Sequence, residues 1–252
     1  MAERFCGVSR DLLMSDPNRE LAGEGLEEAL CRRCAREPLQ YILGEWWFYR
    51  QTYEVSPACL IPRSDTEILV EEAISMLPQG AYFADFCTGS GCIAISTLAE
   101  RPDTSAVALE LSDAALEMAK RNALRNGVFN RLSLKKADVL HLEKTSQLFE
   151  GRLSAIFSNP PYIRTEVLET LEPEVKREPR MALDGGDDGL VFYRAILSEA
   201  PRLLREDGFV LFEIGYDQGA EICALAEEHG FRCLIRKDFG GCDRVAILRR
   251  MV

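Results

Sequence analysis

The chain has 252 residues, 47% of them hydrophobic and 28% charged, enough for one main domain with a full core and a small appendage. A net charge of −11 argues against gripping duplex nucleic acid mainly through its phosphates, and no run of about 18 apolar residues and no apolar signal core points to a membrane or to export. Nine cysteines, an odd number scattered through helix-like and strand-like segments, read as reduced thiols acting as small hydrophobes, so the expected location is the cytoplasm.

Leu26 to Arg36 reads as a helix that stops before Pro38. It carries a basic patch (Arg32, Arg33 and Arg36) and the one metal-like spacing, Cys31-Arg-Arg-Cys34; with no second such pair and no histidine nearby, no metal site is expected. Gln40 to Val55 is aromatic and β-branched around a polar break, a hairpin pattern. Trp46 and Trp47 fall in it and are expected to pack rather than to form a platform for a partner. Asp65 to Leu77 has helical spacing, with Asp65 as its expected N-cap. The expected organisation is a short helical region over 1–39, a hairpin linker over 40–64 and a main domain over 65–252.

From residue 81 strands and helices alternate. Strands are predicted over 81–86, 105–111, 131–136, 153–158 and 208–214, with helices over 91–100, 113–126, 189–204 and 217–229. Repeated β-α units imply an α/β fold with a parallel sheet covered on both faces. The last two runs, 231–236 and 244–249, are joined too tightly for a crossover helix and should pair antiparallel. His141 and His229 are the only histidines, and His229 ahead of Gly230 reads as a helix end, so a histidine triad lacks material.

Three strand ends carry the candidate ligand chemistry. Asp85-Phe86-Cys87-Thr88-Gly89-Ser90-Gly91-Cys92 leaves the first α/β strand and opens a helix, a place where glycines let a ligand approach the backbone. Glu110 ends the second strand, where a carboxylate can accept from ribose hydroxyls, and Asp138 follows the third, beside an adenine edge. A dinucleotide fingerprint is incomplete, because Gly89 and Gly91 are followed by Ala94. Asp85 beside the loop suits a cationic aminoacyl group such as that of S-adenosylmethionine; the alternative is a turn-stabilising carboxylate. After the strand at 153–158, Asn159-Pro160-Pro161-Tyr162 forms a rigid turn that offers acceptors and a flat ring to a planar N–H2 group, either a carboxamide or a base amine. An ordinary loop is the plain alternative.

Seven ordered blocks extend these motifs. They are Arg36-Glu-Pro-Leu-Gln-Tyr-Ile-Leu-Gly44, Leu60-Ile-Pro-Arg-Ser-Asp-Thr-Glu67, Thr88 to Ile95, Ser158 to Ile163, Ala182 to Leu190, Glu213-Ile-Gly215 and Asp243-Arg-Val245. In this order they resemble the HemK-type (PrmC-type) peptide chain release factor N5-glutamine methyltransferases. The resemblance implies a class I S-adenosylmethionine-dependent methyltransferase fold, Rossmann-like, with a mostly parallel seven-stranded sheet and an antiparallel last strand. It implies methyl transfer from S-adenosyl-L-methionine, leaving S-adenosyl-L-homocysteine, to the glutamine of the Gly-Gly-Gln motif of release factors, with no membrane and no direct nucleic-acid partner.

Carried over by position, Asp85, Cys87, Thr88, Gly89, Ser90, Gly91, Glu110, Asp138, Val139 and Asn159 would contact the cofactor. Asn159, Pro160, Pro161 and Tyr162 would hold the glutamine, with Asn159, Pro160 and Tyr162 as the catalytic set. Arg63 and Glu67 would line the cleft or cap a helix. Three departures stand out: Cys87 where a glycine usually opens the loop, Ser64 for a proline, and only about 35 residues ahead of the first block, a shortened helical region or a truncated chain. An amino-methyltransferase acting on adenine or cytosine is the alternative enzyme; a cofactor-binding scaffold is the non-enzymatic one.

Overall fold

In the computed structural model, which describes residues 1–149 and 151–251, the chain opens with α1 (Ala2–Cys6), α2 (Arg10–Ser15) and α3 (Leu26–Cys34). Glu27 and Glu28 in the first turn of α3 and Arg32 and Arg33 in its last complement the helix dipole, while Leu26 and Ala29 are buried. The expected basic patch is engaged: Arg32 pairs with Glu37, Arg33 with Glu174 at 2.8 Å, and Arg36 with Glu172 at 3.0 Å and Glu174 at 2.8 Å.

The hairpin begins later than the sequence pattern suggests. Pro38 starts a further short helix, α4 (Leu39–Leu43), which buries Tyr41 and Ile42 and stops at Gly44 in the left-handed region. Only then come β1 (Glu45–Phe48) and β2 (Gln51–Glu54), paired antiparallel around Tyr49-Arg50. Successive side chains of a strand face opposite sides, so the two tryptophans part company. Trp46 packs on Tyr41, Val55 and Ile61, whereas Trp47 is 60% exposed, against the expectation that both would pack. Thr66 rather than Asp65 holds the N-cap position of α5 (Glu67–Met76), without a side-chain capping bond, and the Asp65 carboxylate lies 3.3 Å from Arg244.

The main domain follows as β3 (Tyr82–Phe86), α6 (Cys92–Glu100), β4 (Ser105–Glu110), α7 (Asp113–Arg125), β5 (Leu132–Lys136), β6 (Leu153–Ser158), α8 (Val191–Leu203), β7 (Leu204–Glu213), α9 (Gly219–Glu228), β8 (Phe231–Lys237) and β9 (Asp243–Arg250). The sheet order is β5-β4-β3-β6-β7-β9-β8, parallel from β5 to β7, with β9 antiparallel to both neighbours. The tight β8–β9 connection therefore does what its length requires. Alternate residues of the central strands feed two cores: Phe83 and Phe157 join Leu69 and Ile95 on one face, while Ala84, Phe86 and Ile156 join Tyr193 and Phe212 on the other. Strand order reverses between β3 and β6, and a crevice opens beyond the carboxyl ends of strands at such a point.

Two cysteines depart from the expected reduced state. Cys223 on α9 and Cys233 on β8 form a disulfide with Cα atoms 5.1 Å apart, because the chain reverses at Gly230 and lays the strand against the helix. Cys59 and Cys92 are free and buried, as small hydrophobes. Among the described residues no helix is long and apolar enough to cross a membrane.

Candidate active site

A cavity of about 340 Å³ lies at the switch point. Cys87, Thr88, Gly89 and Ser90 form its floor after β3, Glu110 and Leu111 stand at the end of β4, and Asp138 and Val139 follow β5. Glu110 organises this side. Its Oε2 accepts from Gly89 N at 2.9 Å and its Oε1 from Leu111 N and Ser112 N, also at 2.9 Å, so one carboxylate joins two loops. Asp138 turns its own loop by accepting from Leu140 N at 2.9 Å. Among the described residues, and apart from its two chain neighbours, nothing lies within 4 Å of where a Cβ on Gly89 would stand, so the backbone there is open to a ligand.

Asp85 and Gly91, both expected to contact the cofactor, do not line the cavity and stand behind this floor. The Asp85 side chain is fully buried; its Oδ2 accepts from Thr88 Oγ1 at 2.6 Å and Ala94 N at 3.2 Å, and its Oδ1 has no partner among the described residues. Burial pushes its carboxyl up to about 7, against the pull of those two hydrogen bonds. It is the turn-stabilising carboxylate, and Gly91, at φ +82, opens α6.

The Asn-Pro-Pro-Tyr turn forms the opposite wall. Asn159 and Pro161 line the cavity, whereas Pro160 and Tyr162, the latter expected to offer a flat ring to the amide, do not. The Tyr162 hydroxyl stands 3.5 Å from Glu213 Oε1 and its ring packs on the second core. The Pro160 carbonyl accepts no hydrogen bond among the described residues. The Asp184 to Gly189 segment buttresses the turn from outside. A Cβ on Gly185 would stand 2.7 Å from Tyr162 Cα, and one on Gly189 2.4 Å from the Tyr162 oxygen, so both positions demand glycine. Gln218 Nε2 ties the same two strands of chain by donating to the Tyr162 and Gly189 carbonyls at 3.2 and 3.3 Å.

Arg63 lines the cavity and pairs with the buried Glu178, whose Oε2 accepts from Ile61 N at 2.9 Å. The pair draws the 61–63 segment and the loop ahead of Pro179 together over the mouth. Glu67 is elsewhere: its Oε1 accepts from Tyr49 N at 2.9 Å in the hairpin turn. Sequence reasoning missed Thr66, Glu178, Glu213 and Gln218. Thr66 and Glu213 lay inside quoted blocks, but only the fold brings them to Asn159: Asn159 Nδ2 donates to Thr66 Oγ1 at 3.4 Å, which donates to Glu213 Oε2 at 2.5 Å.

Cys87 adopts φ +58, the left-handed region that a side chain enters only at a cost of about 1–2 kcal/mol. Burial pushes its thiol well above the usual range. Alanine normally outperforms glycine, and here the order should invert. Cys87→Gly is expected to exceed Cys87→Ala by about 1 kcal/mol in urea denaturation, because both lack the thiol and only alanine retains the strain. Equal stability would place the loop outside the left-handed region.

A parallel sheet with a carboxylate at each of two neighbouring strand ends, a bare glycine loop and an acceptor-bearing turn define a methyltransferase domain of the nucleoside-binding α/β class. Residues 64–175 match the family described as Methyltransferase small domain, and residues 1–44 the PrmC N-terminal domain. The release factor glutamine methyltransferase of Geobacter sulfurreducens is 42% identical, over 91% of this chain and 78% of its own length. That of Caulobacter vibrioides is 39% identical, over 98% and 86%. The chain belongs to the release factor glutamine methyltransferase family. A methyltransferase structure from Pyrococcus furiosus shares the fold, with a TM-score of 0.59 at 18% identity over 89% of this chain and 96% of that one.

Proposed function

We propose that this protein methylates the side-chain nitrogen of the glutamine in the Gly-Gly-Gln motif of peptide chain release factors, using S-adenosyl-L-methionine. The observation that carries the reading is the Asn-Pro-Pro-Tyr turn, whose Asn159 and Pro161 line the nucleoside-type cavity of a chain in this family and whose Pro160 carbonyl accepts no hydrogen bond among the described residues. The cofactor's demands match the residues present: carboxylates at Glu110 and Asp138 for hydroxyl and base donors, open backbone at Gly89, and apolar Leu111 and Val139 beside them. When bound, the cofactor supplies a methyl group on a cationic sulfur. The N-terminal helices, joined to the cavity's outer loop by the Arg33 and Arg36 ion pairs, are the proposed release-factor side, and the working place is the cytoplasm, where termination occurs.

A carboxamide nitrogen is a poor nucleophile, because its lone pair is delocalised into the carbonyl. Asn159 Oδ1 and the Pro160 carbonyl each accept one amide proton and turn the nitrogen's free face toward the methyl donor. As the nitrogen pyramidalises it gains electron density, and both hydrogen bonds strengthen in the transition state. Tyr162 supports the turn from behind rather than stacking on the amide. The reaction needs positioning more than a base; the proton leaves after transfer, when the alkylated amide is strongly acidic.

The test is incubation with labelled S-adenosylmethionine and a release factor, intact or with Gln→Ala in its Gly-Gly-Gln loop. Label is expected on the intact factor alone. Label that survives the substitution, or appears only on nucleic acid, would reject the reading in favour of another acceptor.

A further inference from the structure

Asn159 serves this chemistry only if its carboxamide is turned the right way round. The oxygen must face the cavity, and the two ends of a carboxamide are nearly the same shape, so packing alone selects weakly between them. A chain of hydrogen bonds running away from the cavity supplies the selection. We propose that Glu213 is a positioning residue whose carboxylate fixes the orientation of the Asn159 carboxamide through Thr66 and anchors the Tyr162 hydroxyl. This rests on the proposed glutamine methylation.

The logic is a count of protons. An ionised carboxylate offers acceptors only. Thr66 Oγ1 owns one proton and gives it to Glu213 Oε2 at 2.5 Å, so toward Asn159 it presents lone pairs alone. The group of Asn159 that meets it, 3.4 Å away, must be the N–H2, and Oδ1 is therefore left for the cavity. The Tyr162 hydroxyl, kept protonated by burial, donates to the other oxygen, Oε1, at 3.5 Å. The frame beneath is rigid: the Glu213 carbonyl accepts from Tyr193 Oη at 2.8 Å, and Glu213 itself is 2% exposed at the end of β7. Neither Glu213 nor Tyr193 lines the cavity, so the pair acts through Thr66 and the turn.

Protonation would undo the arrangement. A neutral Glu213 can donate to Thr66, which then has its own proton to give, and the Asn159 carboxamide is free to reverse. Glu213 is surrounded by groups of both signs. Asp65 raises its carboxyl, Arg244 and the Thr66 and Tyr162 hydroxyls lower it, the Tyr193 and Cys92 side chains lie within electrostatic reach, and burial outweighs them all, pushing it up to about 7. Activity then rises with pH through an ionisation that belongs to Glu213.

The deciding experiment compares wild type, Glu213→Gln, Thr66→Val and Thr66→Ser for methylation of a release factor across pH 5.5–8.5, with cofactor affinity read by calorimetry. Glutamine puts a donor where one of two hydroxyls needs an acceptor, so Glu213→Gln is expected to lose roughly 10- to 100-fold in kcat, as orienting groups behind a site typically do. It should also lose the acid limb of the pH profile while binding the cofactor with near-normal affinity. Thr66→Val should lose comparably, and Thr66→Ser, which restores the relay hydroxyl, should recover most of that loss. Wild-type transfer with an unchanged rate and acid limb in Glu213→Gln overturns the inference, as does equal activity of the valine and serine variants. No transfer by wild type instead rejects the proposed function itself, and the inference with it.

Discussion

Replacing Asn159 with alanine is expected to abolish methyl transfer to a release factor while leaving cofactor binding largely intact. On the proposed assignment the lost group is one of two acceptors that hold the reactive amide, and removing one preorganised hydrogen-bonding group typically costs about 10²–10³ in kcat. The drop should be at least that here, because the uncovered Thr66 hydroxyl and the gap beside it admit water to the amide. Thr88, Ser90, Glu110 and Asp138, which line the cavity on the proposed cofactor side, remain in place. Single-turnover transfer together with calorimetric titration separates the two effects, and near-normal methylation by the variant would remove Asn159 from the mechanism.

Folding stability should fall as pH rises from about 4 to about 7. Asp85 has its carboxyl raised from the ordinary range to about 7 by complete burial, so between those limits the folded chain holds a proton that the unfolded chain has released. Stability from this source is full below the unfolded value and is lost as pH climbs through the folded one. At about 1.4 kcal/mol per pK unit, a rise from 3.8 to about 7 makes the loss on the order of 4 kcal/mol. Glu213 acts in the same direction. Asp184 and Asp188, held low chiefly by Thr165 and Arg194 respectively, act in the opposite direction and only at more acid pH. Asp85→Asn keeps an acceptor for Thr88 and Ala94 while removing the titration, so its decline between pH 5 and 8 should be clearly shallower than that of wild type. Parallel urea-denaturation curves for the two proteins across that range would show that Asp85 does not titrate there.

Much of this site is visible in the chain because strand ends are visible. Glu110 and Asn159 each close an apolar run and Asp138 follows the alternating strand Leu132–Lys136, and a parallel sheet brings such ends together whatever the intervening loops do. What stays hidden is which side of a loop a residue faces. Asp85 and Tyr162 carry suggestive chemistry, yet β3 turns the first into the floor's interior and the Gly185 contact holds the second behind the turn. Thr66 and Glu213 are 147 residues apart and meet only when α5 and β7 pack together. The hairpin's boundary slipped for a local reason: Pro38 and Gly44 bracket a one-turn helix whose aromatic and β-branched content imitates a strand. The disulfide partners, ten residues apart, depend on how tightly helix and strand fold back at Gly230, which spacing alone does not reveal.

The paired prolines have one more consequence. They leave the turn without N–H groups at two successive positions, so on the proposed assignment the glutamine meets oxygens and no donors. Such a wall counts hydrogens. An amide brings two and satisfies it, and a deaminated glutamate brings none and is repelled. The methylated product brings only one, so an acceptor goes unmatched and the amide leaves after a single transfer. The same turn that recruits the substrate thereby limits its own reaction to one methyl group.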